Sequence, residues 1–144
     1  MTDDQTGAPY PVVAQVVLDA TDPRGLAEFY RALLGLGYRP GDEPPASGEP
    51  DPRGEDWLVL RNPRGVQLAF QGVAELTPSS WPQDTVPQQL HLDTTVPDVA
   101  ALQRVRARAL ELGAVQRLDR SDDVDEPLYV FADPAGHPFC VFVG

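Results

Sequence analysis

A histidine and an aspartate stand two residues apart in the apolar segment QLHLDTTV, residues 89–96. Alternate side chains of an extended strand share one face, so His91 and Asp93 are expected about 7 Å apart along the backbone. A carboxylate beside an imidazole can orient the ring and take part in proton transfer. The bland interpretation is a hydrogen-bonded core pair. His91 and Asp93 are therefore candidate catalytic or cavity-lining residues.

Self-comparison places His91 in an internal repeat. Shifting the sequence by 76 residues puts Gln15 on His91 and Asp22 on Asp98. In both copies an apolar strand leads to an aspartate, then to apolar residues at helical spacing, then to Leu-Gly. Aspartate favours the N-cap of a helix and glycine its end. The two copies therefore predict the same strand and helix around Gln15 and His91.

Each copy continues with strand material after its helix. The predicted elements are strands at 12–20, 38–40, 89–96 and 115–118, helices near 23–35 and 98–112, and strand-turn-strand segments at 56–71 and 128–143. The sequence thus predicts one α+β domain over residues 1–144. It consists of a βαβββ unit at 12–71, a linker at 72–88 and a second unit at 89–143.

One long loop interrupts the first unit. Residues 41–55, GDEPPASGEPDPRGE, contain no apolar side chain larger than Ala or Pro. Such a segment buries too little surface to offset its ordering entropy. We expect an irregular and mobile loop here, and a candidate lid over a cavity.

The composition excludes several classes of function. The net charge of −11, from 22 acidic and 11 basic residues, repels nucleic acid and anionic lipid and tolerates cationic small molecules. Acidity that serves only solubility is the simpler interpretation. The single Cys excludes a disulfide framework, and no phosphate-binding glycine loop, Ser-His-Asp signature or CxxC motif is present. The apolar runs are too short for a membrane span and the start is unlike a signal peptide, so we expect a cytoplasmic protein.

Three segments, QVVLDATDPRGLAEFYRALLGLGY, HLDTTVPDV and DPAGHPFCVF, resemble the vicinal oxygen chelate superfamily of glyoxalases, bleomycin-resistance proteins and extradiol dioxygenases. The resemblance covers residues 12–143. It implies tandem βαβββ repeats that form an incomplete barrel around a cavity. In metal-dependent members, one ligand on the first strand and one on the last strand of each unit hold a divalent ion that acts as a Lewis acid.

Carried onto this sequence, the resemblance implies a ligand set of weak donors. The implied positions are Gln15, Gln67 or Ala69, His91 and Cys140, and Gln71 shares the strand face of Gln67 and Ala69. His91 is the one strong ligand of this set, and carboxylates are lacking, whereas hard and borderline divalent ions prefer carboxylate and imidazole. The sequence therefore predicts no bound metal. Zinc, nickel or iron held by Gln15, Gln67, His91 and Cys140 is the alternative.

The predicted function is binding of a small apolar or cationic molecule between the two units, as in bleomycin-resistance proteins. Trp57 and Trp81 are expected to line the cavity with the residues above. The alternative is a divergent glyoxalase-type lyase or isomerase, or a dioxygenase-related enzyme, that uses a divalent metal or the pair His91 and Asp93. A homodimer is expected, because units often pair across subunits in this superfamily and sheet edges need cover. Nucleic acid and membrane are not expected as partners.

Overall fold

The structure of the chain, a computed structural model, describes residues 9–144. In chain order these residues form β1 (Gln15–Ala20), α1 (Pro23–Leu34), β2 (Gly37–Tyr38), β3 (Trp57–Arg61), β4 (Gln67–Gly72), β5 (Leu92–Val96), α2 (Val99–Glu111), β6 (Val115–Arg120), β7 (Leu128–Ala132) and β8 (Pro138–Val143). A short 3-10 helix, Arg53–Glu55, precedes β3. The tandem βαβββ fold is confirmed. Neither described helix is long and apolar enough to cross a membrane.

The helix boundaries follow from their capping residues. The Asp22 carboxylate accepts a hydrogen bond from the Gly25 N–H at 3.1 Å, and the Asp98 carboxylate accepts one from the Ala101 N–H at 2.8 Å. Each bond satisfies one backbone donor that the first helical turn leaves unpaired. Gly35 ends α1 in the left-handed region, with φ of 67°. The helices predicted near 23–35 and 98–112 are confirmed.

The two units have the same sheet topology. Their four-stranded sheets have the orders β1-β4-β3-β2 and β5-β8-β7-β6, which we call the first sheet and the second sheet. In each, the first strand pairs in parallel with the last, and the other pairs are antiparallel. The sheets are not closed into a barrel. Both first strands begin three residues later than predicted, so His91 lies just before β5 rather than within it.

The parallel pairing has an equivalent register in the two units. Val17 lies opposite Ala69, and Asp93 lies opposite Cys140. Val17 precedes Asp93 by 76 residues, the shift of the repeat, and Ala69 precedes Cys140 by 71, the distance that also separates Asn62 and Asp133 in the turns before the last strands. The register therefore makes Ala69 the counterpart of Cys140, while Gln67 lies opposite Gln15.

One aromatic core connects the units. The Tyr30 ring of α1 lies 6.1 Å from Phe70 of the first sheet and 5.9 Å from Phe139 of the second, measured between ring centroids. These three side chains are fully or almost fully buried, so their contacts across the units are withdrawn from water. The hydrophobic core thus runs across both units.

A buried hydrogen bond crosses the same boundary. The Tyr30 hydroxyl donates to Asp133 Oδ2 at 2.6 Å, and both side chains are buried. Asp133 Oδ1 also accepts from the backbone N–H groups of Ala135 and His137, which closes the turn between β7 and β8. Burial raises the pKa of Asp133, and burial together with the adjacent carboxylate raises the pKa of Tyr30. This bond ties the helix of the first unit to a turn of the second.

The loop at 41–55 is irregular, as predicted, except for its 3-10 helix. It is anchored at Asp42, whose fully buried carboxylate accepts from the Val59 N–H at 2.9 Å. Arg39 and Arg53 contact the same carboxylate at 3.0 and 2.9 Å. Because β2 has only two residues, Asp42 takes the place of a strand partner at the edge of β3.

A second anchor joins this loop to α1. Arg24 Nε lies 2.8 Å from Asp51 Oδ2, and Arg24 Nη1 donates to the Asp42 carbonyl. The cavities described below have no lining residue from 41–55, so the expectation of a lid finds no support. Mobility of residues 41–55 stays a prediction. The contacts of Asp42 with Val59, Arg39 and Arg53, and of Asp51 with Arg24, act against it.

Candidate functional site

A cavity on the second sheet collects several of the predicted site residues. It has a volume of about 150 Å³ and is lined by His91, Asp93 and Cys140 together with Trp81. The remaining lining residues are Gln88, Leu118, Arg120, Leu128, Val130 and Pro138. We call this the Trp81 cavity. It combines an aromatic ring, an aliphatic floor, a carboxylate and an imidazole.

His91 and Asp93 contact each other as the sequence predicts. Their Nε2 and Oδ1 atoms are 3.2 Å apart. The pair is not buried, however, since the side chains are 47% and 59% exposed. The physical reason is that β5 is an edge strand and His91 lies before its first residue. The expected interior pair is therefore corrected to a pair at the mouth of the cavity.

Cys140 lies deeper, on β8, and is buried. Burial and the negative charges of Asp93 and Glu126 raise the pKa of its thiol to about 11. A thiol with that pKa is almost entirely protonated at neutral pH, and the protonated form is a poor nucleophile. Cys140 therefore acts as a small apolar wall residue of the Trp81 cavity.

Trp81 reaches the cavity because an arginine of β6 holds its backbone. Arg117 Nε donates to the Trp81 carbonyl at 3.1 Å, and its Nη2 donates to the Ser79 carbonyl at 3.4 Å. The pairing of β6 with β7 is irregular between Gln116 and Leu118, where Arg117 is the extra residue. Such a bulge re-aims a side chain. Sequence reasoning missed Arg117, and no spacing in the sequence marks it.

The first sheet contributes nothing to this cavity within one chain. Gln15 and Gln67 lie side by side on β1 and β4, and Gln67 borders a shallow groove beside Tyr38. Ala69 is fully buried, and Trp57 is half-buried on β3. Within one chain, Gln15 therefore does not border the cavity of His91, Asp93 and Cys140, because these residues belong to different sheets that do not close on each other. Their convergence on one site stays a prediction.

A second cavity adjoins the Trp81 cavity. It has a volume of about 210 Å³ and lies between β1, the linker and the turn before β8; we call it the Asp19 cavity. Val17, Asp19 and His137 border it, and Gln88 and Pro138 line both cavities. Its full lining is Val17, Leu18, Asp19, Leu76, Thr77, Pro78, Ser79, Pro87, Gln88, Gln89, Leu90, Ala135, Gly136, His137 and Pro138.

His137 lies just after the turn that precedes β8. It is half-buried, and its Nε2 lies 2.7 Å from the Asp19 carbonyl oxygen. This contact joins the turn of the second unit to the end of β1. Local sequence does not reveal this packing of one unit against the other.

With this geometry in place, comparison with known proteins assigns the family. A model of the glyoxalase-like domain family matches residues 15–142. The chain belongs to this family. A comparison with curated protein sequences finds no significant relative.

Solved structures of the vicinal oxygen chelate superfamily share the fold. A glyoxalase/bleomycin resistance protein/dioxygenase family enzyme from Burkholderia phytofirmans superposes with a TM-score of 0.67 at 13% identity, over 92% of this chain and 98% of that chain. A fosfomycin resistance protein from Mesorhizobium loti gives 0.64 at 15%, over 94% of each chain. A lactoylglutathione lyase from Agrobacterium tumefaciens gives 0.59 at 19%, over 95% and 96%. At these identities the likeness shows the fold alone.

The residues of this glyoxalase-like domain do not fit a divalent metal. Within residues 9–144 no group of three or more His, Cys, Asp and Glu side chains could hold a metal ion. In the Trp81 cavity, Cys140 is buried on β8, whereas His91 and Asp93 contact each other at the exposed mouth. A divalent cation needs several strong donors to replace its hydration, and this arrangement offers too few of them.

Proposed function

We propose that this glyoxalase-like domain binds a small apolar or cationic molecule in the Trp81 cavity without a metal ion. The observation that carries the proposal is the joint presence of the Trp81 ring and the Asp93 carboxylate in one cavity. Leu118, Leu128 and Val130 supply an apolar floor for the body of such a molecule.

The charges of the site favour a cation over an anion. An indole face attracts a cation, and a carboxylate at the mouth adds a Coulomb term. Arg120 also borders the cavity, but its Nη2 lies 3.2 Å from Asp123 Oδ2, which offsets part of its charge. The net charge of −11 raises the local concentration of cations around the protein.

The experiment uses the two tryptophans as a matched pair. Trp57→Phe leaves Trp81 as the single fluorophore, and Trp81→Phe leaves Trp57, which lies outside the cavity. The probes are 4-phenylbutylamine, 4-phenylbutanol and 4-phenylbutyrate, which share one body and differ in charge. We expect the amine to change the fluorescence of the Trp57→Phe protein and not of the Trp81→Phe protein, with the carboxylate binding at least tenfold more weakly. Equal responses of both variants, or tighter binding of the carboxylate, would contradict the proposal.

Absence of a metal is tested separately. Protein purified without chelator is analysed for zinc, nickel and iron, beside a Cys140→Ser variant. The proposal expects far less than one equivalent in both proteins. Near one equivalent in the wild type that is lost in the variant would replace the proposal with a metal-dependent one.

A homodimer is part of the proposal. The strands β1 and β5 are open edges of their sheets, and a second copy could cover them. A dimer could also bring Gln15 and Gln67 of one copy toward His91 and Cys140 of the other, which a single chain does not do. Light scattering at micromolar concentration should give twice the monomer mass of 15.7 kDa, and a monomer would contradict this part.

An enzyme is the second candidate, because His91 and Asp93 are in contact. If the carboxylate accepts from the Nε2–H of His91, Nδ1 is left as the basic nitrogen at an exposed cavity mouth. A glyoxalase-type lyase is tested with the hemithioacetal of methylglyoxal and glutathione, with and without added nickel or zinc. Turnover that His91→Ala abolishes would favour the enzyme. No turnover under either condition would exclude this reaction.

A further inference from the structure

Gln88 borders both cavities and has an unpaired buried oxygen. Among residues 9–144 it is the one polar residue that lines both the Trp81 cavity and the Asp19 cavity. Its side-chain oxygen Oε1 is buried and has no hydrogen-bond partner within residues 9–144. Buried side-chain oxygens are nearly always paired, because an unpaired one has lost its water without gaining a partner. An unpaired acceptor on this wall therefore needs an explanation.

The sizes of the two cavities suggest why this oxygen is unpaired. Cavities of about 150 and 210 Å³ are each smaller than a usual ligand site, but they share Gln88 and Pro138 as one wall. A ligand that spans both would lie along Gln88 and Pro138. Gln88 is only half-buried as a whole, and the terminal amide torsion of glutamine is soft, so its amide can rotate to present Oε1 to such a ligand.

We propose that Gln88 selects ligands with an N–H donor at their centre. The Oε1 atom accepts this hydrogen bond from a molecule that extends from the Trp81 cavity into the Asp19 cavity. One end of the molecule, apolar or cationic, lies against Trp81 and Asp93; the other lies near Asp19 and His137. The inference rests on the proposed function and adds to it the chemical class of ligand, a secondary amide or a similar N–H group between two arms.

Two probes that differ in this one group test the inference. N-[2-(dimethylamino)ethyl]benzamide has an amide N–H between an aromatic ring and a cationic amine, and 2-(dimethylamino)ethyl benzoate has an ester oxygen there. Calorimetric titration of the wild-type protein should show the amide binding about tenfold tighter than the ester. In Gln88→Leu the preference should vanish, because the acceptor is gone. Gln83→Leu, in the same linker but outside both cavities, should keep the preference.

The outcomes separate the inference from the proposed function. If both probes bind wild-type protein equally, or if Gln88→Leu keeps the preference, the inference is wrong while the proposed binding function stands. If neither probe binds, both are overturned.

A second measurement needs no ligand. The Gln88→Leu substitution removes an unpaired buried oxygen while it keeps most of the side-chain volume. It should therefore raise the melting temperature of the ligand-free protein by about 2–4 °C. Gln83→Leu should leave the melting temperature unchanged. A lower melting temperature for Gln88→Leu would show that the oxygen is satisfied in the native protein, and the inference would fall with it.

Discussion

The two units share strand order and register, yet the centres of their sheets carry different chemistry. Val17 and Ala69 of the first unit occupy the places of Asp93 and Cys140 in the second. The first sheet is aliphatic at that point, whereas the second has a carboxylate and a thiol that border the Trp81 cavity. The topology thus provides equivalent positions in both units, and the side chains provide a site in the second.

The turns before the last strands differ in the same way. Asn62 closes the turn of the first unit, where its Oδ1 accepts from the Arg64 N–H at 3.1 Å. Its counterpart Asp133 closes the turn of the second unit and also accepts from Tyr30 of the first. Asn62 therefore acts only within its own turn, whereas Asp133 also connects the two units. Substitutions at the two positions should lower the free energy of unfolding by different amounts.

The largest expected effect is at Asp133. Asp133→Ala removes the acceptor of Tyr30 and of two backbone N–H groups, all in buried or half-buried surroundings. We expect the free energy of unfolding to fall by about 4 kcal/mol. The matched variant Asn62→Ala should lower it by about 1 kcal/mol, because its bonds are exposed. Urea denaturation of both variants is the measurement, and equal losses would show that the bond between Asp133 and Tyr30 adds no stability.

The edge of the first sheet should show the next largest effect. Asp42→Ala leaves the Val59 N–H and two arginines without their carboxylate, and should cost about 3 kcal/mol. The second unit needs no carboxylate in this role, because β6 pairs with β7 over its whole length apart from the bulge. Asp84 is exposed, so Asp84→Ala is the control, with a free energy of unfolding expected within about 0.5 kcal/mol of wild type. The Asp42 variant should also be cleaved faster by protease within 41–55; unchanged stability would show that the carboxylate is not the anchor.

The helix caps should behave alike, since both units use them alike. Asp22→Ala and Asp98→Ala each remove one side-chain bond to a first-turn N–H. Each should lower the free energy of unfolding by about 1 kcal/mol. Thermal or urea unfolding of both variants and of the double variant checks this. A loss confined to one cap would mean that the two helices contribute unequally to stability.

A smaller effect concerns pH. Because burial raises the pKa of Asp133 in the folded state, its protonation favours folding. The stability linked to this proton is fully present below about pH 4, the ordinary pKa of aspartate, and is lost as the pH rises through the raised folded-state pKa. Relative to Asp133→Asn, which does not titrate, the wild type should therefore gain stability as pH falls from 7 to 4. Unfolding curves of both proteins across that range decide it; a constant difference would contradict the assignment.

The smallest expected effect is the reactivity of Cys140. Burial is the main cause of its pKa of about 11, and the charge of Asp93 adds to it. Asp93→Asn should therefore lower the thiol pKa and speed alkylation by iodoacetamide at pH 8 about two- to threefold. Asp19→Asn, a carboxylate outside the Trp81 cavity, should leave the rate unchanged. The same acceleration in both variants would point to a general opening of the protein.

Much of the fold and part of the site follow from local sequence. Asp22 and Asp98 mark the helix starts, and the two-residue spacing places His91 beside Asp93. Trp81 was expected to line the ligand cavity, and it borders the cavity of His91 and Asp93; its part in ligand binding stays a prediction. The sequence did not indicate the exposure of His91 or the late start of β5, because the end of an edge strand depends on its neighbours rather than on its own apolar pattern.

Residue spacing within the chain encodes the repeat, the helix boundaries and the equivalent first and last strands of the two units. Tertiary packing sets which residues meet. It brings Trp81 into one cavity with His91, Asp93 and Cys140, beside a bulge at Arg117, and it leaves Gln15 on another sheet. It also turns Asp133 into a partner of Tyr30, 103 residues away in the chain. These contacts depend on how one unit and the linker pack against the other unit, and no periodicity within a single strand or helix encodes that packing.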